Sequence, residues 1–161
     1  MSLNARIVIA TSVAAGVLLL SVGGSLGPNG RAVAQEPAGF RCTAATIRGT
    51  YGGQMQGTNP APGGGTQTVT GVIIRTYDGA GTFTQTDNIK GSITGMVPDR
   101  SGSGTYQVNP DCSGMTLFQP GPGITLEERM VIVNHGNEIR TIVSSPLQVM
   151  ATSVQKRIDH R

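Results

Sequence analysis

The chain has 161 residues, with 12 Lys and Arg against 9 Asp and Glu, 37% hydrophobic and 4% aromatic residues, no Trp, two Cys and two His. That length suits one domain with a modest core and leaves no room for a second. The formal charge of +3 is spread along the chain apart from Lys156-Arg157, with no interleaved aromatics, which excludes a nucleic-acid platform or a general attraction to anionic membranes.

The first element in chain order is an export leader over residues 1–34. Arg6 supplies a positive start, residues 7–24 form an uncharged and mostly apolar run, and Ala32-Val33-Ala34 offers an A-x-A cleavage site. The run is at the short limit for spanning a bilayer, and Gly27-Pro28-Asn29-Gly30 breaks it before the site. Cleavage is therefore expected, with no stable membrane insertion afterwards and a mature single domain over 35–161. The leader takes Arg6 and Arg31 with it and no acid, so ten basic residues face nine acids in the mature chain, a net charge of about +1. Gly39-Phe40-Arg41 lacks the small apolar residues that precede a lipidated cysteine, so Cys42 is not read as a lipid anchor. The destination is the periplasm or the exterior.

In an exported chain the two cysteines, Cys42 and Cys112, read as one disulfide, the alternative being two free thiols. No Cys-x-x-Cys or clustered histidine points to a metal site. Residues 42–48 fit a single helical turn. Beyond it, Gly and Pro punctuate the chain at 52–53, 59–65, 78–81, 102–104, 109–114 and 119–123, and the runs between are rich in Thr, Val, Ile and Tyr. Short β-rich runs between dense turn signals are strands joined by hairpins. The expected strands are 50–56, 66–77, 82–89, 92–97, 105–109, 115–119, 124–134, 138–144 and 147–158, the last with a possible break. The fold class is therefore all-β, a small antiparallel barrel of about eight strands, with a β-sandwich as the alternative. Asn59 to Gly65 reads as a loop that either covers a barrel mouth or is a plain exposed connection. Gly79 and Gly81 fit a tight hairpin, because no strand-to-helix transition follows for a phosphate loop.

Gly49-Thr50-Tyr51-Gly52, Asp78-Gly79-Ala80-Gly81 and Gly104-Thr105-Tyr106 through Asp111-Cys112-Ser113-Gly114 give the chain a resemblance to exported bacterial small barrels. These are similar to the calycin type, near the allene oxide cyclase-like and dirigent-like barrels. The resemblance covers nearly the whole mature domain in the order of its turns. It implies a fold and carries over no catalytic residue, and one barrel can bind, isomerise or scaffold.

Glu128 is the polar residue that suggests chemistry. A regular strand over 124–134 puts Ile124, Leu126, Glu128, Met130 and Ile132 on one face. A carboxylate there is desolvated, its pKa is expected to rise, and it is a speculative catalytic acid or base, or a ligand anchor. The blander alternatives are a bulge at Glu127-Glu128 that turns it outward, or a structural ion pair, with Arg140 as a candidate partner. His135 sits in a turn and His160 is the penultimate residue, and no Gly-x-Ser-x-Gly elbow exists, so a hydrolytic triad is not expected. Tyr51, Tyr77, Phe83, Tyr106 and Phe118 lie in or beside strands, as core or as the lining of an apolar pocket.

Three functions follow. The first is a noncatalytic barrel binding a small apolar or amphipathic molecule, with no cofactor. The second is a surface or interaction protein, motivated by the strand in which Val69, Ile73 and Tyr77 alternate with Val72 and Ile74 so that both faces carry apolar groups, as in a homo-oligomer. The third is a cofactor-free cyclase or isomerase in which Glu128 handles a proton.

Overall fold

The structure, a computed structural model, describes residues 39–158. The leader of 1–34 and His160 lie outside the described residues. Eight antiparallel strands follow one another around a closed barrel: β1 Gly49–Pro60, β2 Thr66–Tyr77, β3 Thr82–Gly91, β4 Gly95–Val108, β5 Ser113–Gly121, β6 Ile124–Val133, β7 Glu138–Ser145 and β8 Met150–Arg157. Pairing of β1 with β8, from Tyr51 opposite Arg157 to Thr58 opposite Met150, closes the ring and leaves no free edge. The barrel, and not the sandwich, is the architecture.

Period-two alternation sorts the side chains. On β2, Gln67, Val69, Ile73, Arg75 and Tyr77 are buried, while Val72 and Ile74 point outward, each 54% exposed. The two expected strands 92–97 and 105–109 are one strand, β4, preceded by the turn at 92–94. Gly102 and Gly104, which read as a break, lie within it because they face rings across the barrel wall. A Cβ on Gly104 would collide with the Leu117 carbonyl and come within 2.6 Å of Phe83 Cζ, and one on Gly102 would come within 2.6 Å of Phe118 Cε2. Here glycine marks close approach within a strand. Of the other boundary differences the largest are that β1 runs on to Pro60, shrinking the expected loop to 61–65, and that β8 begins only at Met150.

One end of the barrel is plugged. A 3₁₀ turn, Ala44–Ile47, buries Ile47 against Tyr51, Tyr77, Phe83, Tyr106, Phe118, Met130, Ile132 and Ile139. The ring of Tyr77 is 5.0 Å from that of Tyr106 and 5.6 Å from that of Tyr51, both edge to face, an arrangement favoured by the ring quadrupoles. Arg157 donates to the carbonyls of Thr46 and Gly136 and to the Tyr51 hydroxyl, and Tyr51 donates in turn to Gly136. The expected disulfide joins Cys42 to Cys112 across 70 residues and straps the N-terminal segment over this end. At the hairpin of Gly79 and Gly81, Asp78 Oδ1 accepts from the N–H groups of Ala80, Gly81 and Thr82. The Thr82 hydroxyl donates to Oδ2, and these bonds hold the Asp78 carboxyl far below its ordinary range.

Candidate functional site

The other half of the barrel is not filled. A cavity of about 340 Å³ extends from the interior to the end marked by the β1–β2, β5–β6 and β7–β8 turns. Its walls are apolar, with Val69 and Ile73 from β2, Leu126 from β6, Val143 from β7 and Ala151 from β8. Its polar lining is concentrated in two groups.

The first group is a chain of hydrogen bonds that runs from β4 through β3 to β2 and then across the barrel interior to β6. Arg75, 1% exposed, donates from Nη1 to Glu128 Oε2 at 2.8 Å and from Nη2 to Oε1 at 3.4 Å. Its Nε donates to Gln85 Oε1 at 2.6 Å. The guanidinium lies over aromatic faces, its Cζ 4.4 Å from the Phe83 centroid and 5.1 Å from that of Phe118, as cation–π attraction favours. Gln85 then donates to Asp87, and Arg100 at the outer end grips both Asp87 oxygens at 2.9 and 3.0 Å. The second group, on β7 and β8, is a hydroxyl pair: Thr141 Oγ1 and Ser153 Oγ are 2.9 Å apart, and Gln155 Nε2 donates to Ser153.

Glu128 faces inward, 7% exposed, and lines the cavity. The bulge at Glu127-Glu128 exists in the pairing with β7 but does not turn Glu128 to solvent. Two readings of it need correction. Its partner is Arg75 rather than Arg140, which instead bonds Glu138 at 2.7 Å on the outer face. Its carboxyl is also shifted down rather than up. Burial alone would raise it, but the charge and hydrogen bonds of Arg75, together with a 2.6 Å bond from the Thr116 hydroxyl, outweigh burial. Tyr77, 3.4 Å from Arg75 Nη1, titrates above its ordinary value, chiefly through burial.

His135 is placed in the β6–β7 turn at the plugged end, with φ of 55° and its ring 5.0 Å from Phe40, away from the cavity. Of the aromatics, Phe118 alone contributes to the cavity wall, and Tyr51, Tyr77, Phe83 and Tyr106 form core. Sequence reasoning missed Arg75, Gln85, Asp87, Arg100, Thr141 and Ser153. Parity carried a signal for some of them: Arg75 shares the face of Val69, Ile73 and Tyr77, and Gln85 and Asp87 share that of Phe83 and Ile89.

No protein-family profile and no curated protein matches the chain. Among solved structures, the crystal structure of Rv2717c from M. tuberculosis is similar at 16% identity with a TM-score of 0.39, over 71% of this chain and 94% of that one.

Proposed function

We propose that this protein is an exported, noncatalytic barrel that binds a small apolar or amphipathic molecule, on a plan like that of the calycin and allene oxide cyclase-like barrels. The observation that carries the reading is the unfilled interior. Eight-stranded barrels pack themselves full or hold one small ligand, and this one keeps about 340 Å³ open behind apolar walls with a few convergent polar groups. Export is supported by the leader pattern at 1–34 and by the disulfide between Cys42 and Cys112.

The isomerase alternative gives Glu128 the proton. Its Oε2 accepts from both Arg75 and Thr116, and a carboxylate stabilised in that way is a weaker base than a free one. This ranks binding ahead of catalysis. Nothing in the dispersed charge favours nucleic acid, and outward Val72 and Ile74 keep a homo-oligomer among the proposals. Native mass spectrometry of purified protein, with organic extraction of whatever it carries, tests the binding reading. A stoichiometric apolar ligand is expected. A chain that emerges empty and then takes up no member of a broad apolar panel contradicts it.

A further inference from the structure

Resting on the binding reading, we infer that the cavity selects neutral molecules that carry one carbonyl or ether oxygen on a short apolar body, and rejects the corresponding carboxylates. Among the described residues, the charged side chains that line it are Arg75, Glu128, Asp87 and Arg100, and their formal charges sum to zero. They are also committed to one another. Arg75 spends Nε and both terminal nitrogens on Gln85, Glu128 and Tyr77. Asp87 is closed on both oxygens by Gln85 and Arg100. An anion entering past Arg100, whose side chain is 31% exposed, brings an unpaired charge into a desolvated interior whose buried cation, Arg75, is already neutralised by Glu128, and that cost exceeds what a contact to Arg100 returns.

The hydroxyl pair has the opposite character. Thr141 and Ser153, both more than nine-tenths buried, share one hydrogen bond between two hydroxyl protons, and the Gln155 amide already donates to Ser153. With the Gln155 amide oriented so that Nε2 donates, which leaves its Oε1 buried without a partner, one hydroxyl proton is left over at the cavity wall, whichever of the two hydroxyls donates to the other. A buried donor left unpaired carries a desolvation cost that a ligand acceptor relieves. The neighbouring Ala151 and Val143 leave apolar surface beside the pair for the body of the ligand. At roughly 30 Å³ per water-sized atom, the space takes on the order of ten non-hydrogen atoms, with the turn-marked end available to a longer tail.

The test is displacement of a bound environment-sensitive apolar dye at pH 7 by three molecules of matched length, 2-octanone, octanoate and octane. The expected order puts 2-octanone at least ten-fold ahead of octanoate. The Thr141→Val/Ser153→Ala double variant should lower the preference for 2-octanone over octane by roughly five-fold, the worth of one hydrogen bond, with octane held at least as tightly by the more apolar wall. Octanoate binding as tightly as 2-octanone in the native chain overturns the inference without needing any variant, and leaves the pocket reading standing. A double variant that keeps its full preference for 2-octanone over octane overturns it too. Failure of the dye and all three molecules to bind overturns the binding reading and this inference together.

Discussion

Arg75→Met puts the polar heart of the barrel to the test. The substitution keeps much of the side-chain volume but removes the one salt-bridge partner of Glu128 among the described residues, together with the cation lying over Phe83 and Phe118. Glu128 then keeps only the Thr116 hydroxyl as a partner. Removing one member of a buried ion pair costs about 3–5 kcal/mol, because the other is left as an uncompensated buried charge. For a domain of this size that corresponds to a fall of about 10–20 °C in melting temperature. The pH dependence is diagnostic. In the native protein the Glu128 carboxyl lies below its ordinary value of 4.5, so its contribution is present above that pH and is lost as the pH falls through the folded-state value. Without Arg75, burial raises the carboxyl, so the variant is least handicapped in acid and loses stability as the pH rises through the new folded value. The gap between the two proteins should therefore narrow on going from pH 7 to pH 4, measured by urea unfolding at each pH. Arg75→Met/Glu128→Leu should recover most of the loss, since a buried pair replaced by packed apolar groups is often neutral. A deficit below about 1 kcal/mol that does not change with pH would contradict an uncompensated buried charge at Glu128.

Gly104→Ala is expected to destabilise by about 1–3 kcal/mol in chemical unfolding, because its methyl meets the Leu117 carbonyl and the Phe83 ring, whereas Gly121→Ala, which meets nothing within 4 Å, should be near neutral. Equal effects at the two sites would contradict the close approach within β4. Cys42→Ser/Cys112→Ser should cost about 4 kcal/mol by release of the 70-residue loop from the unfolded chain, read as a lower urea midpoint that matches native protein treated with reductant. Asp78→Asn should lower the melting temperature at neutral pH. Asp78's depressed carboxyl gives stability that is present above its ordinary 3.8 and lost as the pH falls below it, so the penalty should fade only in strong acid.

The fold was legible because its signals are local. Asp78-Gly79-Ala80-Gly81 and Asn109 to Cys112 are turns whose side chains satisfy their own backbone, and each turn fixes where the chain reverses. Local rules failed at β4, where Gly102 and Gly104 are dictated by Phe118 and Phe83 on other strands and only imitate a break. The site divides in the same way. Alternation along β6 placed Glu128 on the inward face, but its partner lies on β2, 53 residues away, so neither the pairing nor the downward shift of the carboxyl was written in its own strand. The Thr141 and Ser153 pair depends on the register of β7 against β8, which hydroxyl residues in a Thr- and Ser-rich chain do not announce.

The most direct test of the account is a crystal of the protein soaked with 1-bromooctane, with the bromine located by its anomalous scattering. Bromine and continuous chain density are expected inside the barrel, between Ile73, Leu126 and Ala151. Bromine confined to the outer wall beside Val72 and Ile74, with side chains closing the interior, would contradict it.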